Sequence, residues 1–554
     1  MADTTMGAPG AARPGLFLRN ATGLVKSWST FDAFVYSFWS INLITLGLYG
    51  MSYVYTVPDG QLLAGILLFG VLVTFLVITY AMLVSVMPRT GGDYAWQSRV
   101  LGGGLGFVLS ITGWWFTLFL WAPIYANILV VQFFSPLAYT LGWSGVATFF
   151  TSKTGIFVSC LIVLAFVSVV VTLGMETYAR IQKVCFWIGL VGLAVVCVLL
   201  LVYSQSDFQN AFNREATKLF GAPAGAYQAT IDTASKTFGG STFGTFSFGP
   251  VLLLLPWLAF YLLWPNWGAT LYGEVRGAKD IRKPFWSMFA GLWVTVAMVA
   301  VVVLLINKTI GWNFYQSANA AYWNNLFAVQ DAAAPPVPIW PYPVMFAGFL
   351  VDNHLFQALL IIVMGLWFFG WAGTLFLSST RVIFAAAFDR VLPSWAANIS
   401  AKRRVPYGAL VLMIVPSVVI SAIYAYRPDF TSVFLDATAV LALTFLATTV
   451  AAIILPWRRK DLYDASPIAN YKVAGLPLIS VVGVITGLFL LFMLYQWSFN
   501  PDNLYGTSLQ KTPNSVIYFV LTYVAAVVIY VVARVVRKRQ GIDLARIHHE
   551  IPVE

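Results

Sequence analysis

Two stretches of the chain set solute-binding residue types beside residues that break helices. One runs from Ser37 through Phe38, Trp39, Ser40, Asn42 and Gly47 to Gly50. The other runs from Leu262 through Trp264, Pro265, Asn266, Trp267 and Gly268 to Glu274. Each lies inside an apolar run. Proline, glycine and asparagine at membrane depth free backbone groups that lipid cannot satisfy, so they persist where those groups meet protein or a bound solute. A half-helix N-terminus offers unpaired amides and partial positive charge, suited to a carboxylate. A half-helix C-terminus offers carbonyls, suited to an ammonium group or a cation. One interruption alone reads as an ordinary kink, because glycine and proline are common in membrane helices. An interruption in each half of the chain points to a binding site between two repeats.

The scaffold that must position these stretches is a bundle of membrane helices. The chain is 60% hydrophobic and 10% charged, with mean hydropathy +0.80, whereas soluble domains are about 25% charged. A spanning helix needs about 20 mainly apolar residues. About twelve such segments are present: 30–56, 61–86, 105–135, 154–174, 182–206, 249–273, 285–306, 350–380, 407–426, 432–456, 476–497 and 515–536. The expectation is therefore an all-α polytopic membrane protein without a separate soluble domain.

Charge orients that bundle. Residues 1–29 contain no apolar run of signal-peptide length, so they read as a cytoplasmic tail, as do residues 537–554. With twelve spans, 25 of the 32 lysines and arginines fall on the side of the two termini and 7 on the other. That asymmetry is the positive-inside pattern, and it accounts for the net charge of +11. A nucleic-acid footprint would need a clustered basic face, which the sequence lacks. Cys160, Cys185 and Cys197 fall within spans and read as small apolar residues. The two long outer loops, 207–248 and 307–349, have balanced charge. Each reads equally as a lid or as a cap over helix ends, and the second ends in a proline-rich strap at Pro343.

Inner-loop motifs carry a family resemblance. Pro88-Arg-Thr-Gly-Gly-Asp-Tyr94, Gly273-Glu-Val-Arg-Gly-Ala-Lys-Asp-Ile-Arg-Lys-Pro284, Ser379 to Pro393 with Val405-Pro406, and Pro456 to Tyr463 with Gly475-Leu-Pro477 occur in order. This series resembles the amino acid–polyamine–organocation (APC) transporters over about residues 30 to 535. The resemblance implies a leucine-transporter-type fold with two inverted five-helix repeats, 30–206 and 249–456, followed by two helices in 457–536. It implies a permease of the cell (plasma) membrane, multi-pass, with both termini cytoplasmic. Its partners would be a small-molecule substrate, an amino acid, and the lipid bilayer, with no nucleic acid. Catalytic residues, cofactors and metals are not expected, and an enzyme would need a constellation richer than Asp352-Asn353-His354.

The expected substrate site comprises Ser37, Phe38, Trp39, Ser40 and Asn42 at the first break and Trp264, Asn266, Trp267 and Gly268 at the second. Trp115, with its neighbour Trp114, and Asn127 join from the third span. That tryptophan pair reads equally as pocket lining or as ordinary packing or an interfacial belt. Such an uncharged lining favours a neutral, apolar or aromatic amino acid. A nucleobase, a polyamine, another organic amine, or a non-transporting sensor role remain alternatives. Some relatives resemble one another in a proton-carrying lysine on the fifth span, where this chain has Gly189. Sodium coupling in this fold implies hydroxyls on the eighth span, here Thr374, Ser378 and Ser379, although such hydroxyls also bond back to their own helix. Na+, H+, exchange and uniport all stay open. Arg89 with Asp93, and Arg276 with Glu274 or Asp280, are spaced to form inner ion pairs of under about 1 kcal/mol each when exposed.

Overall fold

The computed structural model describes residues 23–244, 246–427, 431–500 and 513–551, with the side chains of 431–436 excepted. Most of the expected N-terminal tail (1–22) and the last three residues of the C-terminal tail lie outside the described residues. Among the described residues, 12 helices are long and apolar enough to cross a membrane. They are Thr30–Met51 (span 1), Leu62–Val86 (span 2), Gly103–Thr140 (span 3), Lys153–Thr172 (span 4), Met175–Val202 (span 5) and Phe248–Glu274 (span 6). Arg282–Ile310 (span 7), His354–Phe388 (span 8), Tyr407–Tyr426 (span 9), Ala437–Arg458 (span 10), Leu478–Ser498 (span 11) and Pro513–Arg539 (span 12) complete the set. Spans 5 and 8 overrun the apolar windows that suggested them. Helices continue until a backbone signal stops them: Gly174 at φ +92° opens span 5, and Arg390 at φ +65° follows span 8.

Packing between spans repeats with an offset of five. Span 1 packs on span 7, and span 6 on span 2; span 5 packs on span 8, and span 10 on span 3; span 9 packs on span 3, and span 4 on span 8. Adding five to each number, and wrapping past ten, exchanges the members of every pair. Two five-helix repeats of opposite orientation generate that pattern. Spans 11 and 12 stand outside it, span 11 against spans 2 and 10 and span 12 against spans 3 and 10.

The two expected loops fold into helices. Gln205–Phe220 is opened by a capping box of Ser204 and Asp207 and closed by Gly221 in the left-handed region. Ala226–Ala234 packs on Trp312–Leu326, and Pro343–Phe349 follows the proline-rich strap. Lys308 Nζ donates to the carbonyls of Leu201 and Tyr203, both at 2.6 Å, satisfying the free end of span 5. Trp323 from this cap stacks on Tyr53 at 4.5 Å, and Tyr53 stacks on Trp257 at 4.9 Å. Trp340, seated by the strap, lies 6.1 Å from Tyr49. These rings close the bundle at the end opposite the start of span 1.

At the end where span 1 begins and span 12 ends, called the basic end below, the turn between spans 2 and 3 enters the bundle. Gly92 has φ +37°, and a Cβ there would stand 2.9 Å from the Ala269 carbonyl oxygen and 3.0 Å from Thr270 Cα. Gly92→Ala is expected to lower the melting temperature of the detergent-purified protein markedly, because strain of about 1–3 kcal/mol adds to a backbone clash. Gly475→Ala, at φ +79° with nothing within 4 Å, should cost only the conformational part. Equal melting shifts for the two variants would remove the close approach as an explanation.

Candidate functional site

Span 1 is helical over Thr30–Ser40, breaks at Ile41 and Asn42, and resumes as the wide-turned Leu43–Gly47. Asn42 makes the break tolerable. Its Oδ1 accepts from Thr45 N at 3.0 Å, and its Nδ2 donates to Trp367 O of span 8 at 2.9 Å. Span 6 is helical over Phe248–Leu262, and Pro265, which has no N–H, blocks its continuation. The next ten residues, Pro265–Glu274, form a 3-10 helix. Runs of that length are uncommon and mark strain or a hinge.

Four carbonyls along the broken segments accept from other elements. Ser37 Oγ donates to Pro265 O at 2.9 Å, which ties the two breaks together. Ser378 Oγ donates to Trp267 O at 3.2 Å, Gln132 Nε2 to Thr45 O at 2.8 Å, and Gly91 N to Thr270 O at 2.9 Å. Several buried side-chain atoms around the breaks remain without a hydrogen-bond partner: both amide atoms of Asn266, the indole nitrogens of Trp267 and Trp371, and the Tyr125 hydroxyl. Buried polar groups are seldom left so. They present three N–H or O–H donors, one amide and several aromatic faces at one depth in the bundle.

The expected lining is only partly found here. Trp264 and Trp267 pack against Trp121, at 5.4 and 6.2 Å, and Gly268 adjoins the ring of Tyr36. Phe38 and Trp39 turn away, packing on Trp367 of span 8 and, for Phe38, on Phe186 of span 5. Ser40 bonds back to Tyr36 O at 2.8 Å. Two third-span residues of the expected lining bond elsewhere. Trp115 donates to Leu412 O at 2.9 Å and Asn127 to Tyr424 at 2.9 Å, so both face span 9. The wide turn Thr112–Thr117 sets the facing; it presents Trp114, whose ring is 5.8 Å from Trp267, and further along the span come Trp121 and Tyr125. Tyr125 stacks on Trp371 at 3.6 Å.

The hydroxyls of span 8 are mostly self-satisfied. Thr374 donates to Trp371 O and Ser379 to Leu375 O, both at 2.8 Å. Ser378 alone reaches across, its Oγ 2.5 Å from the oxygen of the Tyr36 hydroxyl, whose single hydrogen has Thr374 O within 2.7 Å. Tyr36 thus fills the gap between spans 1 and 8 where the sequence suggested a sodium ion. At Gly189 the proton-carrying lysine has no room. A Cβ there would lie 2.9 Å from the Trp367 indole nitrogen, which donates to Gly189 O at 3.0 Å.

Below the breaks, the basic end is closed by ion pairs other than those the sequence suggested. Glu274 receives the guanidinium of Arg381 in two bonds, 2.8 and 3.2 Å, with side-chain exposures of 2% and 0%. Arg276 instead donates to Lys26 O at 3.1 Å, because the chain before span 1 lies along the end of the 3-10 helix, where Ser27 N donates to Glu274 O. Arg381 escaped the sequence reading because the apolar window of span 8 stopped one residue short of it. Asp389 holds Arg99 at 2.5 and 2.9 Å and accepts from Tyr94 at 3.0 Å. His548, from the C-terminal helix Leu544–His549, stands 3.2 Å from the same Tyr94 hydroxyl.

The expected Arg89–Asp93 pair is also replaced. Arg89 donates to Pro88 O at 3.1 Å, and Asp93 turns inward. It accepts from Tyr80 and Thr448, both at 2.5 Å, and from the Trp114 indole at 3.1 Å. Burial pushes its carboxyl up to about 6, against the opposing effect of those donors.

This architecture, two broken helices meeting in a repeated bundle of twelve spans, is that of a solute transporter. A model of the amino acid permease family matches residues 29–527. The chain belongs to that family, within the APC superfamily: it is a multi-pass membrane protein that transports amino acids or related organic solutes. No curated protein matches it.

Removing one member of a buried ion pair strands the other. Arg381→Met or Glu274→Leu is expected to destabilise the purified protein by about 3–5 kcal/mol, and the double variant to recover most of that loss. Asp352→Ala, which breaks an exposed pair with Lys218, should cost under about 1 kcal/mol. Thermal melts of the four proteins check both expectations, and additive losses in the double variant would refute the pairing.

Proposed function

We propose that the protein is a secondary active transporter that carries a neutral amino acid with an apolar or aromatic side chain by alternating access. The site would lie between the breaks of spans 1 and 6, lined by Ser37, Asn266, Trp267, Gly268, Trp121, Tyr125 and Trp371. One observation carries this reading: donor and amide atoms of Asn266, Trp267, Trp371 and Tyr125 are buried and unpartnered, while the ionised groups sit in pairs farther toward the basic end. A zwitterion brings its own charges and would satisfy such atoms without an ionised side chain, and the surrounding indoles suit an apolar side chain. With the aromatic cap closed at one end and the ion pairs at the other, the arrangement corresponds to an occluded state. The excess of lysine and arginine supports a cytoplasmic basic end in a plasma membrane.

The test is reconstitution in liposomes with a panel of labelled amino acids, nucleobases and amines, under proton and sodium gradients imposed separately. Uptake or counterflow of apolar or aromatic amino acids is the expected result. Asn266→Leu should weaken apparent affinity about tenfold or more, the cost of an unmade buried hydrogen bond. Gly268→Trp, checked for folding, should block transport. Nucleobase movement without amino acid movement would reassign the substrate. Silence towards every solute from folded protein would leave a sensor.

A further inference from the structure

Among the described residues, four carboxylates are buried at the basic end. Asp32 meets Lys183 at 2.8 Å, Glu274 meets Arg381, and Asp389 meets Arg99. Asp93 meets no cation among the described residues. Its three partners, Tyr80 of span 2, Trp114 of span 3 and Thr448 of span 10, are all neutral donors. A carboxylate removed from water without a counter-charge is costly, and the usual relief is a proton. The N-terminus of the helix Asp93–Val100 supplies only partial compensation.

A second observation gives that proton a consequence. Asn266, at the break of span 6, lies beside Tyr80, yet neither of its amide atoms makes a hydrogen bond. Ionised Asp93 accepts from all three donors. Protonated Asp93 must donate one bond, and the Tyr80 oxygen is in place to accept it. The Tyr80 hydroxyl hydrogen then needs another acceptor, and the neighbouring Asn266 has an unpartnered Oδ1. The loop that carries Asp93 is also tied to the 3-10 part of span 6 through Gly91 N and Thr270 O.

We propose that Asp93 is a proton-binding site coupled to the solute site through Tyr80 and Asn266, so that one proton travels with the solute. This rests on the transporter reading above. The carboxylate gains the proton when solute binds, the Tyr80 hydroxyl turns to Asn266, and the proton leaves when spans 6 and 10 part from the loop. Burial of Asp93, which holds its carboxyl near neutral pH, suits such loading and release. The other buried charged groups on elements packed against its helix are already committed, and Arg546, His549 and Arg458 on those elements are exposed. Arg381, Glu274, Asp389 and Arg99 form the pairs described, Arg459 binds Asp461 at 2.9 Å, and His548 faces Tyr94. Tyr80 is the titratable group in direct contact.

The experiment uses the full chain in liposomes and the amino acid that the wild-type protein exchanges in counterflow. An inward proton gradient should drive several-fold accumulation by wild type and none by Asp93→Asn, whose counterflow should lose its dependence on pH between 5 and 8. Thr448→Val removes a donor that favours the carboxylate, so the midpoint of pH-dependent counterflow should rise by about one pH unit. Melting supplies a readout independent of transport. The raised carboxyl favours the native state when protonated, so wild type should lose stability relative to Asp93→Asn as pH rises through about 6. Equal accumulation by Asp93→Asn and wild type, or an unmoved midpoint in Thr448→Val, overturns the proposal. Parallel melting curves overturn it as well. Wild-type protein that exchanges no solute at all would defeat the transporter reading instead.

Discussion

Backbone amides and carbonyls at membrane depth must find partners within the protein, and the whole centre of this molecule follows from that constraint. Spans 1 and 6 each abandon helical bonding for a few residues, and the cost is offset by side chains from other elements. Asn42 caps its own break, Ser37 reaches across to Pro265, and Ser378 of span 8 takes the carbonyl of Trp267. These bonds also fix the breaks to each other and to the helices around them. Spans 1, 6 and 8 therefore cannot shift independently, and any movement that opens the site must exchange this set of bonds for another.

The two ends of the bundle are closed by different physics. At the end away from the start of span 1, Tyr53, Trp257 and Trp323 stack over the site, with Tyr49 and Trp340 beside them, and contacts of this kind lose little when they slide. At the basic end, closure relies on buried, bidentate ion pairs, Glu274 with Arg381 and Asp389 with Arg99. Such pairs are poor sources of stability but strongly define one arrangement, because separating them in a dry interior strands both charges. The segments just before span 1 and after span 12 are built into this closure. Trp28 N shares the Glu274 carbonyl with Ser27 N, and His548 stands against Tyr94.

Small residues decide where rings and backbones can meet. Gly370 accommodates the Trp39 indole, which a Cβ would approach to 2.5 Å, and Gly189 accommodates Trp367. Gly91 and Gly92 let the loop between spans 2 and 3 lie against span 6 and deliver Asp93 into the interior. That loop and span 6 thus join the broken helices, the ion-paired end and the buried carboxylate.

The sequence by itself determined the membrane class, the number of spans and the positions of both breaks. Each of these depends on local properties: runs of apolar residues, and proline, glycine or asparagine within them. It also held the motifs that mark the family. The partners of the charged residues, and the faces presented by the third span, were decided only in three dimensions. Arg276 is two residues from Glu274, yet Glu274 pairs with Arg381, which is 107 positions away. Spacing along the chain says nothing about such a contact. Trp115 and Asn127 looked as suitable as Trp114, and nothing singled out Tyr125, but the wide turn at Thr112–Thr117 sets which of them face the breaks. That turn has no sequence signal, because hydrogen bonding to the fifth residue is chosen by packing against neighbouring spans rather than by residue preference.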